Sequence, residues 1–287
     1  MERELWLLLY HLALQCDKLT KARFRPAVIV GVYGWAVLHD RPVSWACDCR
    51  NWPGDLFREP CFYLPSQSTM SRRLRSPDIE RLLDQASWLL TEVCALGWVK
   101  FIDAKPLPIG GFSKDGDARW GRSLKGFAKG YKFFAIWGEG PMPLVWGLAG
   151  MNVSETAVAR RMIPCLKGGG YLLGDSLYDT NMLYALAAQR GYQLVAPRKK
   201  PQGGLGHRQH APQRFRAIEL LRSVFGRALY QTRGHIERNF GWLTNCAGGL
   251  QPLPAWVRTF PRVRLWVYMK LILNALRRNP PTLPAIA

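Results

Sequence analysis

The chain has 287 residues, with 40 Lys and Arg against 20 Asp and Glu, a formal net charge of +20. Hydrophobic residues make up 48% and charged ones 21%, which supplies a packed core and excludes wholesale disorder. The longest uncharged apolar stretch, Pro26 to Leu38, is 13 residues, short of the roughly 20 that span a bilayer, and the acid-bearing N-terminus does not read as a secretory leader. A soluble cytoplasmic protein is expected.

Residues 1–96 read as helical. Arg25 to Leu38 carries Val28, Val32, Trp35 and Ala36 at helical spacing, with Gly31 and Gly34 weakening the pattern. A helix is predicted over Val43–Trp52, with Ser44 as its cap. After a Pro/Gly-containing connection, another covers Ser66–Arg75, with Met70 and Leu74 on one face and Gln67, Ser71, Arg72 and Arg75 outward. Gln and Arg can bridge two atoms of a base edge, and Ser and Arg hold phosphates, so this face suits DNA reading; a solvated basic helix has the same composition. Ser76-Pro77-Asp78 then starts a helix through Leu90.

From Gly97 the pattern changes. Trp98–Ala104, Tyr131–Trp137 and Pro143–Ala149 read as three consecutive strands. Between the first two, the stretch GGFSKDGDARWGRSLKG reads as a polar connection with Asp115 and Asp117 solvated. Ser154 caps a helix to Leu166, and Gly168–Asp175 gives a fourth strand. Asp179 caps a helix to Arg190, and Gln193–Ala196 gives a fifth strand. Helices are predicted at about Arg214–Phe225, Ala228–Thr244 and Pro261–Arg278. Hairpin-linked strands followed by crossovers make a mixed five-stranded α/β sheet with flanking helices, strand one beside the first crossover strand. That is the ribonuclease-H-like arrangement. The expected domains are a helical, helix-turn-helix-like DNA-binding unit over 1–96 and a catalytic unit with C-terminal helices over 97–287.

The charge is uneven. Residues 1–179 hold 23 basic and 18 acidic side chains; residues 180–287 hold 17 and 2. Such an excess calls for a polyanion such as DNA. The longest basic run is Arg198-Lys199-Lys200, too little for a membrane-binding polybasic cluster. The seven cysteines form no CxxC pair and read as reduced thiols, and His207 and His210 as solvated.

Three acids carry the chemical reading. Asp103 and Asp175 close two apolar strands that neighbour each other in this topology, a costly placement unless a cation sits there. Glu237 shares its C-terminal stretch with Glu219 as the only carboxylates after residue 180. Tyr230, Arg233 and Glu237 stand at i, i+3 and i+7, one stripe of the predicted helix. An Arg233–Glu237 ion pair is the structural alternative there.

FIDAKPL around Asp103, KGYKFFAIWGEGPMPLVWGLAG, NVSET, YLLGDSLYD around Asp175 and YQTRGHIERNFGWL around Glu237 resemble bacterial insertion-sequence DDE transposases of the Tyr-x2-Arg-x3-Glu-x6-Lys group. The lysine position falls on Thr244. The resemblance implies a ribonuclease-H-like domain in which Asp103, Asp175 and Glu237 are catalytic and bind two Mg²⁺ or Mn²⁺ ions. Tyr230 and Arg233 would meet DNA. It also implies cleavage at element ends and transfer of the 3′-hydroxyl to target DNA, by a homodimer holding double-stranded terminal inverted repeats at the nucleoid. LPSQSTMSRRLR resembles the family's N-terminal DNA-binding segment. Competing readings are a catalytically inactive derivative that only binds DNA, and a ribonuclease-H-like nuclease.

Overall fold

The computed structural model describes residues 2–17, 22–57, 63–92, 97–123, 126–205, 209–245, 249–250 and 253–280. It divides into two compact units. One comprises residues 1–92 with 245–250 and 256–287, the other residues 93–244 with 251–255. Cys61, Cys94, Cys246 and His207 lie outside the described residues.

The first unit contains helices α1 (Glu2–Cys16), α2 (Pro26–Leu38), α3 (Val43–Ala46), α4 (Gln67–Arg73) and α5 (Pro77–Glu92). Pro26 opens α2 at a position where its missing N–H costs nothing, and α2 is buried almost throughout. A side chain on Gly34 would collide with Leu9 of α1, so the glycine that weakens helix propensity is what lets the two helices approach. Trp6 donates from Nε1 to the Gly31 carbonyl at 2.9 Å, and the rings of Trp35 and Trp52 stack at 4.9 Å. The helix predicted over Val43–Trp52 is only the one-turn α3, begun by Pro42 rather than Ser44. A 3₁₀ turn at Cys49–Asn51 follows it, entered through the Asp48 side chain. Short polar caps win there because too few apolar residues face the core to propagate a helix.

The second unit holds strands β1 (Val99–Pro108), β2 (Arg119–Ser123), β3 (Gly126–Trp137) and β4 (Val145–Gly150), then helix α6 (Glu155–Met162), β5 (Gly170–Leu173), α7 (Asn181–Gln189) and β6 (Tyr192–Val195). Helices α8 (Pro212–Arg222), α9 (Val224–Gln231) and α10 (Gly234–Asn245) follow. The sheet order is β2-β3-β1-β5-β6, with β4 also on β3. β1 pairs antiparallel with β3 and parallel with β5, so the central position of strand one holds. One face packs Ile102, Phe134, Ile136, Leu172 and Leu194 against Val158 and Met162 of α6 and Leu183 of α7. On α10, Phe240 meets Phe133 and Trp137 edge-on at 6.1 and 5.1 Å.

Two expectations change here. The polar connection after β1 contains a sixth strand, β2, which a Gly-rich, charge-rich sequence conceals. Within it Asp115 is buried, not solvated, and accepts from the Tyr131 hydroxyl at 2.8 Å. The last helix, α11 (Phe260–Arg278), falls in the first unit rather than with the sheet. There Tyr268 donates to Asp84, Lys270 to Asp40 and Arg264 to Glu80, at 2.7, 2.6 and 2.7 Å. Its apolar residues fit either domain by composition, and these long-range polar pairs decide which. Among the described residues no helix is long and apolar enough to cross a membrane.

Candidate active site

Asp103 lies inside β1 rather than at its end, opposite Ala135 of β3. Asp175 follows β5, and its carboxylate accepts the Leu177 N–H at 2.8 Å. The sharp exit from β5 needs Gly174, where a Cβ would sit 2.8 Å from the Tyr178 ring and 3.0 Å from Ile102. The carboxylates of Asp103 and Asp175 thus meet, as the neighbouring strands require.

The third acid at this point is Glu155, a residue that sequence reasoning missed. Oxygens of Asp103, Glu155 and Asp175 lie within 4.8 Å of one another. Glu155 opens α6, where a glutamate ordinarily reads as a complement to the helix dipole. The signal that pointed to it was positional: it begins the first helix after the hairpin strands and so sits at the end of the sheet. Lys132 of β3 pairs with Glu155 at 3.1 Å, and the Tyr178 hydroxyl donates to it at 3.4 Å.

Glu237 is placed differently. Its side chain is 71% exposed and contacts Arg233 at 3.5 Å. Arg233 in turn donates to Asp103 at 2.9 Å. The arginine therefore stands between Glu237 and the acidic cluster, and the ion pair weighed as the structural alternative is present. Nor do Tyr230, Arg233 and Glu237 share one helix. α9 ends at Gln231, Thr232 and Arg233 form a turn, and α10 begins at Gly234. The Thr232 hydroxyl bonds back to the Leu229 carbonyl at 2.6 Å, and glycine at 234 is a poor helix former, so the continuous stripe breaks. Tyr230 donates to the Gly174 carbonyl at 3.2 Å, next to Asp175. Thr244, at the expected lysine position, bonds back to the Phe240 carbonyl.

The electrostatics are those of crowded acids. Burial pushes the Asp103 carboxyl up to about 6, helped by the charges of Asp175 and Glu155 and opposed by the Ala104 N–H and Arg233. The Nε of Arg233 is buried with no hydrogen-bond partner among the described residues. Hard carboxylate oxygens from three separate elements suit Mg²⁺ or Mn²⁺, so the donor set fits the implied cation, with Lys132 and Arg233 supplying compensating charge meanwhile.

Asp179 does not cap α7. It is buried and takes two bonds from Arg214 at 2.7 Å each, while Thr180 occupies the N-cap position without a side-chain bond. His210, expected to be solvated, bonds the Leu205 carbonyl and Arg214. Glu219 is exposed on α8. In the other unit Ser66 caps α4 through its hydroxyl, Met70 is buried, and Gln67, Ser71, Arg72 and Arg75 are exposed.

The profile of the family described as transposase DDE domain matches residues 96–273. The chain belongs to that family. The hairpin-then-crossover sheet and the acids at the end of β5 and within β1 agree with such a DDE domain. No curated protein and no solved structure matches. The DDE domain therefore brings DNA transposition and recombination to this chain, and the competing nuclease and DNA-binding-only readings are not favoured.

Proposed function

We propose that this transposase cuts DNA at the ends of its element and joins the freed 3′-hydroxyl to target DNA by cation-dependent phosphoryl transfer. The convergence of Asp103, Glu155 and Asp175 from β1, α6 and the end of β5, in a DDE domain, carries this reading. Divalent ions bound there, two on the two-metal scheme, would stabilise charge on the phosphate oxygens and generate the nucleophile at neutral pH. Asp103 and Asp175 hold the cation, and Glu155 completes the set when Lys132 yields to it.

Arg233 has two roles in this scheme. Without cation it neutralises Asp103; with DNA bound, its unpartnered Nε and the rest of the guanidinium turn to a phosphate, to which the flat fork is suited. Its release frees Glu237 to approach the acids as the family's third carboxylate. Tyr230 fixes the β5 exit through Gly174 and keeps Asp175 in place. The +20 charge attracts duplex DNA, with Gln67, Ser71 and Arg72 of α4 and Arg75 of the turn after it reading the terminal inverted repeats and a homodimer pairing two ends.

Cleavage of a labelled element-end duplex by the purified protein tests the proposal. Mg²⁺ or Mn²⁺ should support cutting that EDTA abolishes and that Asp103→Asn loses while retaining binding. Intact cleavage by Asp103→Asn overturns the site; no cleavage by the wild type with either ion overturns the activity.

A further inference from the structure

The unforeseen strand β2 builds a feature that the acidic site does not use. It pairs with the first residues of β3 from Arg119↔Gly130 to Ser123↔Gly126. The β1–β3 ladder ends at Pro108↔Gly130, so β2 and the start of β3 project past it as a two-stranded ribbon. Directly opposed residues share a face, as do residues two apart. Trp120 opposes Lys129 and Arg122 opposes Phe127, which puts two aromatic rings and two cations on one face in a diagonal pattern.

That face is turned to solvent. Trp120 is 52% and Phe127 71% exposed, and their rings are nearly parallel, 7° apart with centroids 6.3 Å from each other. The opposite face is seated: a side chain on Gly121 would come within 3 Å of the Met151 backbone. The connection before β2 also braces the ribbon. Lys129 donates to the Ser113 carbonyl at 2.8 Å, Arg119 to the Gly116 carbonyl at 2.9 Å, and buried Asp115 receives the Tyr131 hydroxyl. Phe112, beside Ser113, is fully exposed. Large rings left in water on a braced support, interleaved with cations, carry a cost unless a partner covers them.

We propose that this ribbon is a stacking platform for unpaired nucleobases of a DNA strand, the chemistry left by a cut or frayed element end. The inference rests on the reading of the protein as acting on DNA. Intact duplex hides base faces and offers phosphates, which Arg122 and Lys129 meet but Trp120 and Phe127 do not; unpaired bases satisfy both. The distance agrees with a single bound strand. Along β3, Ala135 stands eight residues after Phe127 and opposes Asp103, while Tyr131 and Phe133 between them are buried. Eight residues of strand at ~3.3 Å each put the rings about 26 Å from the acids, the length of about eight stacked nucleotides.

Fluorescence anisotropy of the full-length protein in EDTA decides the matter, with three probes: a blunt element-end duplex, the same duplex with an unpaired tail, and oligo(dT). The double variant Trp120→Ala/Phe127→Ala should bind the tailed duplex and oligo(dT) at least ~10-fold more weakly, and the blunt duplex within ~2-fold of wild type. Trp120→Phe should retain tailed binding within a few-fold, because any aromatic face stacks. Equal losses on tailed and blunt probes would assign the ribbon to duplex binding instead, and no loss on any probe would leave it a solvated face; either overturns the proposal. Should the double variant melt early, wild-type protein bound to the duplex with an iodouracil-bearing tail answers independently: photocrosslinks must map to residues 119–129, and crosslinks elsewhere sink the platform. Wild-type cleavage of the blunt duplex is read separately, so failure of the platform and failure of the transposase reading are told apart.

Discussion

Asp175 and Asp179 are four residues apart in one short segment, yet they do opposite things. Asp179 is buried, and although burial works against its charge, the Arg214 fork and the Lys199 N–H hold its carboxyl below the usual range. Its partner's side chain is itself only 15% exposed. Asp175 remains partly exposed, keeps one backbone donor, and faces Asp103 and Glu155 rather than a dedicated cation. A carboxylate whose charge is cancelled within the fold is structure. One left among other acids, with Asp103 raised to about 6 beside it, belongs to a cluster that could hold a cation. The comparison teaches that the balance of partners, more than burial, separates the two roles.

The largest expected effect lies in activity. Asp175→Asn should leave melting nearly unchanged, since an amide oxygen still accepts from Leu177, and should reduce Mg²⁺-dependent end cleavage by ~10³-fold or more, the several kcal/mol that metal charge stabilisation supplies. Asp179→Ala should do the reverse in kind: it strands Arg214 and should cost about 3–5 kcal/mol in urea melts. A stable, active Asp179→Ala protein would erase the distinction.

The next effect separates the glutamates. Glu155→Gln should lose the Mg²⁺-induced rise in melting temperature. Glu237→Gln should keep that rise while losing cleavage, and Glu219→Gln should keep both. A cation response lost with Glu237 and retained without Glu155 would return the third ligand to α10.

A smaller effect follows from Asp103. Its carboxyl sits at about 6 in the fold against an ordinary 3.8, so the fold favours the protonated form. That contribution is complete below about pH 4 and is lost as pH rises through 6. Metal-free Asp103→Asn should therefore be more stable than wild type at pH 7.5, by about 3 kcal/mol, and match it near pH 4. Calorimetry at the two pH values checks the sign.

The smallest effect concerns α4. Arg72→Ala should weaken binding to the element end by ~1–3 kcal/mol if it reads a base, or reduce the salt slope by ~1 for all duplexes if it holds a phosphate. Gel shifts at two salt concentrations distinguish these outcomes, and no change in either would leave α4 a solvated basic face.

Apart from β2 and the break between α9 and α10, the sequence by itself determined the order of strands and helices, because period-two and helical runs are local. The pairing of β1 with β5 followed from that order, and with it the meeting of Asp103 and Asp175. Ser66, Met70 and the outward Gln67, Ser71, Arg72 and Arg75 were equally legible, since one capped turn fixes their faces. Only the tertiary structure decided the rest. β2 forms because β3 offers it an edge and Met151 a seat for Gly121, neither of which its own glycines reveal. The break at Thr232–Gly234 depends on competition between a side-chain bond and helix propagation, which spacing alone does not register. Glu155 joins the acids, and Arg233 intervenes before Glu237, through contacts 23 and 130 residues distant in the chain. Such contacts depend on how the sheet curls and which helix covers it, and a carboxylate's neighbours, not its position in the sequence, set its charge and its work.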